Sequence, residues 1–356
     1  MGNIETYLNN YGKYTFLEKE FTEVDNVILS LIAYIDLYGI VPGIKKSKIT
    51  LSEASKQFYS KYSKKEIDKN ILSVKSASYL LKELASTKRY KDLLLYNYEY
   101  KVNFDMQFGA LCIMLPNKNI YVSFEGTDGY ISGWKEDCMF ACGFPNAAQI
   151  EAINYLDKVI GVFSHNIYVG GHSKGGHLAI VASMFCKNRV RHKIKYVYNN
   201  DGPGLRKKEF ESHNYKKIDE RLVMIVPKES IVGMLLCHKD NYIVVDSKNK
   251  GCMQHNAMSW IVEDDKFKRV EQTDTSRKRE LAIIKWMDNL DDDKRLKFVN
   301  GLFSILKKAD INTLNEIRQS KLNSAIKIIK ETKNLDKETR GMLLNCFKDL
   351  ISEIRR

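Results

Sequence analysis

The residues best suited to chemistry stand in one stretch, Asn166-Ile167-Tyr168-Val169-Gly170-Gly171-His172-Ser173-Lys174-Gly175-Gly176-His177-Leu178-Ala179. An apolar run leads into Gly-x-Ser-x-Gly, and a second apolar run follows it. A serine hydroxyl becomes a useful nucleophile when a neighbouring base takes its proton. A sharp strand-to-helix turn lifts that hydroxyl clear of a sheet, and small residues two before and two after let strand and helix approach each other. The start of the following helix, at Lys174, offers backbone amides to a developing oxyanion. Gly-x-Ser-x-Gly alone is a common pattern; the strand–turn–helix setting and the extra Gly176 give it weight. A phosphate-binding turn is the weaker reading, because neither Gly-x-x-x-x-Gly-Lys-Ser nor Gly-x-Gly-x-x-Gly is matched.

A nucleophile of this kind needs a histidine base and an orienting acid later in the chain. The histidines after Ser173 are His177, His192, His213, His238 and His255. His177 lies on the helix leaving the turn and is expected to point away from the base position. His192 and His213 lie in charged, surface-like segments. His255 follows the last strand expected in the sheet, where the base loop belongs, so it is the first candidate, with His238 second. For the acid, Asp201 ends a strand and precedes Gly202-Pro203-Gly204, whereas Glu229 and Asp246 follow later strands. Asp201 has the least surface-like context and ranks first, with Glu229 as the alternative and Asp246 third. A second oxyanion amide must come from a loop earlier in the sheet. Val122-Ser123-Phe124-Glu125-Gly126-Thr127-Asp128 supplies a strand ending in Gly-Thr, which makes Thr127 the candidate beside Lys174 and its hydroxyl a further donor.

The elements that must position these residues alternate. Val24 to Ile35 has helical spacing with Thr22 as N-cap. Leu51 to Ser86 is helical and polar, with Leu72, Tyr79, Leu80 and Leu84 as core contacts. Tyr96 to Val102 alternates as a strand, and Phe108 to Leu115 with Ile120 to Phe124 forms a hairpin across Pro116-Asn117-Lys118. Further strands are expected at 167–169, 194–198, 222–226 and 242–245, and helices at 147–160 and 174–187. This order predicts a mostly parallel sheet flanked by helices, an α/β class. From about Thr275 the chain is helical without a strand signal, its apolar positions recurring at 281–284, 302–306, 326–329 and 343–347. Asp291 and Asp310 precede expected helix starts. Two units are therefore expected, a body over 1–272 and a basic helical appendage over 273–356.

The chain has 356 residues with a net charge of +13. The basic residues are spread out and no nucleic-acid module is present, so nucleic acid is not an expected partner. Seven cysteines in irregular spacing, without Cys-x-x-Cys, speak against a zinc ribbon or redox pair. Met1-Gly2-Asn3-Ile4-Glu5-Thr6 fits the loose myristoylation pattern but lacks basic support. No secretory signal and no membrane span are read, so a cytoplasmic, thiol-reduced protein is expected.

Phe124-Glu125-Gly126-Thr127-Asp128 with Trp134-Lys135-Glu136-Asp137, together with Gly-His-Ser-x-Gly-Gly, resembles the class 3 lipase pattern within the α/β-hydrolase fold. The details are similar to a bacterial branch known as domain of unknown function 2974. The shared features are Val24-Asp25, Gly171 to His177, Asp201-Gly202-Pro203-Gly204, Ser230-Ile231-Val232-Gly233, and Gln254-His255 with Trp260. The similarity spans roughly residues 15 to 265. It implies Ser173 as nucleophile, His255 as base and Thr127 as oxyanion residue. Glu125 replaces the usual Arg, and Ser230 to Gly233 replaces Asp-x-Val-Pro, so the acid must be Asp201 or Glu229. The segment from Cys138 to Pro145 fits either a small lid or a buried loop. The implied activity is a serine esterase or lipase that needs no metal or organic cofactor. Its substrate would be an acyl ester, lipids included. The basic tail lies outside the similarity; packing on the body is its expected role, with peripheral contact to an anionic membrane as the alternative. The rival reading is an inactive or weak hydrolase scaffold serving as a binding or membrane-surface module through that tail.

Overall fold

Short apolar runs separated by amphipathic helices give a sheet whose eight strands lie in strict sequence order. The computed structural model describes residues 2–103, 106–127, 131–162, 164–288, 290–309 and 340–341. The chain opens with α1 (Ile4–Tyr11) and α2 (Glu23–Ile32), then β1 (Ile49–Thr50), α3 (Leu51–Lys61), α4 (Lys64–Lys69) and α5 (Leu72–Ala85). The strands β2 (Leu94–Val102), β3 (Gln107–Met114) and β4 (Ile120–Phe124) follow. After α6 (Ile131–Met139) and α7 (Ala147–Val159) come β5 (Ile167–His172), α8 (Lys174–Phe185), α9 (Asn188–Arg191) and β6 (Ile194–Asn200). Two short helices, α10 (Lys207–Phe210) and α11 (His213–Lys216), lead to β7 (Leu222–Pro227) and β8 (Ile243–Val245). A small ribbon of β9 (Val262–Glu263) and β10 (Lys266–Phe267) precedes α12 (Asp274–Asp288) and α13 (Asp292–Lys308).

Strands β1 to β4 pair antiparallel, and β4 to β8 pair parallel. This mostly parallel sheet, flanked by helices, has the α/β layering that the sequence predicts and matches an α/β-hydrolase fold. Right-handed crossovers between successive neighbours put their helices on one face. The other face must then be covered from elsewhere, and the first 85 residues cover it. The period of two along the strands separates the two cores. Tyr121, Tyr168 and Tyr198 pack with α1 to α5, whereas Val122, Phe124, Val169 and Val197 pack with α7 and α8. Thr22 caps α2 in a capping box with Asp25, and Asp25 forms a fully buried pair with Arg89. This fixes α2 against the sheet, where Asn26 Nδ2 donates to Asn200 Oδ1 over 2.8 Å.

The expected elements are present, with one correction, at Leu72. The polar 51–86 region is three helices, and Leu72 is 45% exposed instead of core, because it opens α5 on the solvent side. Past Thr275, α12 and α13 are helical, and Asp291 caps α13 through the Lys294 amide. The expected helix start at Asp310 and the apolar positions of 326–329 and 343–347 lie outside the described residues. Helix α13 packs on α6, and Arg295 Nη1 donates to Ala141 O over 3.3 Å. Among the described residues no helix is long and apolar enough to cross a membrane.

Candidate active site

Ser173 stands between β5 and α8 with φ +58° and ψ −131°. An L-residue reaches this region only under strain, about 1–3 kcal/mol, and surrounding contacts must hold it there. They do so in two ways. The Ser173 amide donates to Asn200 O over 2.9 Å. The glycines on either side also let backbones touch. A Cβ on Gly171 would lie 2.3 Å from Gly175 C, and one on Gly175 would lie 2.1 Å from Phe124 O. Strand, helix and the end of β4 therefore meet at Ser173.

Asp201 follows β6 directly, also with positive φ, +52°. Its carboxylate is fully buried and its bonding capacity is well used. The Ser230 hydroxyl and the Gly233 amide (3.2 Å) donate to Oδ1. His255 Nδ1 lies 2.6 Å from Oδ2. A buried carboxylate accepts, so Nδ1 carries the proton and Nε2 of a neutral ring keeps its lone pair.

The turn that carries His255, Gly251–His255, is tied down from three sides. Glu229 Oε2 accepts from the Gly251 amide and from Gln254 Nε2, each over 2.7 Å. Trp260 Nε1 donates to Gln254 O over 2.8 Å. His172, immediately before Ser173, reaches His255 O with Nε2 over 2.8 Å, and the two rings stand 4.6 Å apart. A carbonyl only accepts, so His172 Nε2 bears the proton and Nδ1 accepts from Tyr34 Oη, 2.9 Å away. Burial pushes the His172 imidazole down to about 3, which keeps it neutral. The sequence reading passed over both Tyr34 and His172. The free position inside Gly-x-Ser-x-Gly was the available signal, since its residue must lie beside Ser173.

The remaining candidates are engaged elsewhere. Glu229 serves the backbone of the His255 turn. Asp246 pairs with Lys228 (2.7 Å) and Lys268 (3.4 Å). His177 is buried, donates to Gly204 O through Nδ1 (2.8 Å), accepts from Gln149 Nε2 at its own Nε2 (2.8 Å) and stacks on Phe140. Its imidazole is pushed down to about 4 by burial. His238 packs edge-on against Tyr242. His192 and His213 are exposed.

On the other side of Ser173, Thr127 follows β4. Its hydroxyl donates to Asp137 Oδ2 over 2.7 Å, so the hydroxyl proton is committed and the amide is the donor left to consider. Burial raises the Asp137 carboxyl to about 6. Lys174 is the first residue of α8, where backbone amides have no partner within the helix. Glu125, standing where the lipase resemblance expects Arg, accepts from Gln107 Nε2 over 3.3 Å. Asp128 lies outside the described residues, as does the Trp134 side chain. Of the 138–145 segment, Cys138 and Met139 end α6, and Phe140, Ala141 and Cys142 after them are buried, with Phe140 stacked on His177. Among the described residues no group of three or more His, Cys, Asp or Glu is arranged to hold a metal ion.

A family model described as Mbeg1-like matches residues 84–304. This is the lipase-like family of domain of unknown function 2974. No curated protein matches the sequence. Among solved structures, one described as the crystal structure of M37 lipase is similar at 13% identity and a TM-score of 0.38, covering 58% of this chain and 67% of that one.

Proposed function

We propose that this chain, which belongs to the Mbeg1-like family, is a serine hydrolase of carboxylic esters with Ser173 as nucleophile, His255 as general base and Asp201 as orienting acid. The observation that carries this is the 2.6 Å bond from His255 Nδ1 to buried Asp201, made beside a strained Ser173 turn. That bond leaves Nε2 to take the Ser173 proton as Oγ attacks the ester carbonyl. The tetrahedral oxyanion accepts from the amides of Thr127 and Lys174. The His255 imidazolium, steadied by Asp201, returns its proton to the leaving alcohol. Water, deprotonated by the same ring, then releases the acid from Ser173. The substrate class is an acyl ester, lipid esters included. Residues 1–272 form the catalytic body in this reading, with 273–356 appended to it.

Steady-state hydrolysis of a short p-nitrophenyl ester tests the proposal. Ser173→Ala and His255→Ala should each lower kcat by about a million-fold, because members of one catalytic unit fail together. Near wild-type turnover in a folded Ser173→Ala variant would remove Ser173 from the mechanism.

A further inference from the structure

The residue after the nucleophile is a lysine whose side chain is only 1% exposed. Lys174 Nζ donates to Glu136 Oε2 and to Gln107 O, each over 2.8 Å. Glu136 is itself buried, and its Oε2 also accepts from the Gln107 amide over 3.3 Å. Glu136 is followed by Asp137, the acceptor of the Thr127 hydroxyl. Two adjacent acids on α6 therefore grip the two segments that flank Ser173. Asp137 holds the segment after β4 at Thr127, and Glu136 holds the start of α8 through a side chain that begins at the Lys174 backbone.

We propose that the buried Lys174–Glu136 pair is a positioning clasp that sets the spacing between the Thr127 and Lys174 amides; the inference rests on the serine-hydrolase reading. A buried ion pair is a poor means of gaining stability, since desolvation of both charges offsets their attraction. Its directional bonds are better suited to fixing geometry. The clasp joins three elements at one point: α8 through Lys174, α6 through Glu136, and β3 through both the amide and the carbonyl of Gln107. Oxyanion donors act only when aimed at the place where charge develops, and a displacement near 1 Å costs about a hundred-fold in rate. Neither Glu136 nor the lysine side chain touches substrate in this arrangement; both act through backbone amides.

The test is a double replacement, Lys174→Met with Glu136→Met, which removes both charges and leaves no unpaired ion. Single replacements leave one buried charge alone and are expected to unfold readily. The double variant should keep the wild-type circular dichroism and a KM within about two-fold for p-nitrophenyl butyrate. Its kcat should fall between about ten- and a hundred-fold. Its affinity for an alkyl trifluoromethyl ketone, whose adduct carries the oxyanion, should weaken by the same factor. A purely structural pair would leave kcat and ketone affinity together at wild-type values, and that result overturns the clasp. A double variant that does not fold overturns it as well, because the pair is then a stability element. A wild-type protein with no ester turnover and no ketone adduct sinks the serine-hydrolase reading itself, and the clasp with it. Active wild type with an equally active double variant sinks the clasp alone.

Discussion

The two flanks of Ser173 handle buried charge in opposite ways. On the base side one carboxylate, Asp201, faces the His255 ring, and its oxygens are met by a hydroxyl, an amide and that imidazole, while Glu229 takes only neutral amides of the His255 turn. On the oxyanion side several carboxylates lie close in sequence and space. Glu136 takes Lys174, Asp137 takes the Thr127 hydroxyl, and Glu125 takes Gln107 Nε2. The base side is built from strand ends and neutral donors, so its charge has one position and one partner ring. The oxyanion side is built from an ion pair and neighbouring acids, and burial holds the Asp137 proton up to about 6. The lesson is that the base side depends on hydrogen-bond direction, whereas the oxyanion side depends on a balance of charge.

The sharpest way to break this contrast is Asp201→Asn. It keeps the shape but turns an acceptor toward donor chemistry, so His255 loses its orientation and its tautomer. Turnover should fall by roughly ten-thousand-fold, the scale found when such a carboxylate is neutralised in serine proteases. A folded variant with less than a ten-fold loss would mean that another group orients the ring.

Tyr34→Phe probes the same side at one remove. It removes the donor to His172 Nδ1 and loosens the bond from His172 to His255 O. One neutral hydrogen bond is worth about 0.5–1.5 kcal/mol, so kcat should drop by about ten-fold at most, with KM unchanged. A loss as deep as that of Asp201→Asn would place Tyr34 in the chemistry itself.

Glu229→Gln should do still less. Glu229 braces the His255 turn through Gly251 and Gln254, both at Oε2, and the glutamine carbonyl oxygen in that place still accepts both contacts. Activity should fall by only a few-fold, read by the same ester assay. A loss equal to that of Asp201→Asn would reverse the ranking of the two acids.

The smallest effect separates the flanks by pH. His172 and His177 titrate near 3 and 4 in the fold against an ordinary 6.5. The unfolded chain therefore binds their protons first, and their contribution to stability is present above 6.5 and lost as pH falls toward 3. Asp137 has the opposite sign. Its raised value gives stability that is full below 3.8 and lost as pH rises through about 6. Two groups outweigh one, so the denaturation midpoint should decline between pH 6 and 4. In Asp137→Asn the decline should be steeper over that interval. An identical slope in the two proteins would remove Asp137 from the account.

The same contrast explains what could be read from the sequence. Ser173, His255 and Asp201 were singled out because order along an α/β chain fixes which strand ends meet. The 2.6 Å contact joins residues 201 and 255, 54 positions apart, and only topology makes that pairing foreseeable. The hairpin, the crossover helices and the Thr22 cap were legible for local reasons of periodicity and turn chemistry. Lys174 was read only through its backbone, because a lysine beside a nucleophile gives no sign that it will be buried. Its partner depends on how α6 packs, which no spacing rule encodes. Tyr34 was hidden for a similar reason. It lies 138 residues from His172 and reaches it only because the N-terminal helices cover the sheet face left open by the crossovers.

The central claim is that Ser173 is a nucleophile activated by His255, and covalent labelling tests it most directly. The intact protein is treated with a fluorophosphonate probe, digested, and the adduct mapped by mass spectrometry, beside His255→Ala as control. The account predicts one adduct on Ser173, formed rapidly in the wild type and at least a thousand-fold more slowly in the control, on the scale of triad losses. An unlabelled Ser173, or labelling that is indifferent to His255, would contradict it.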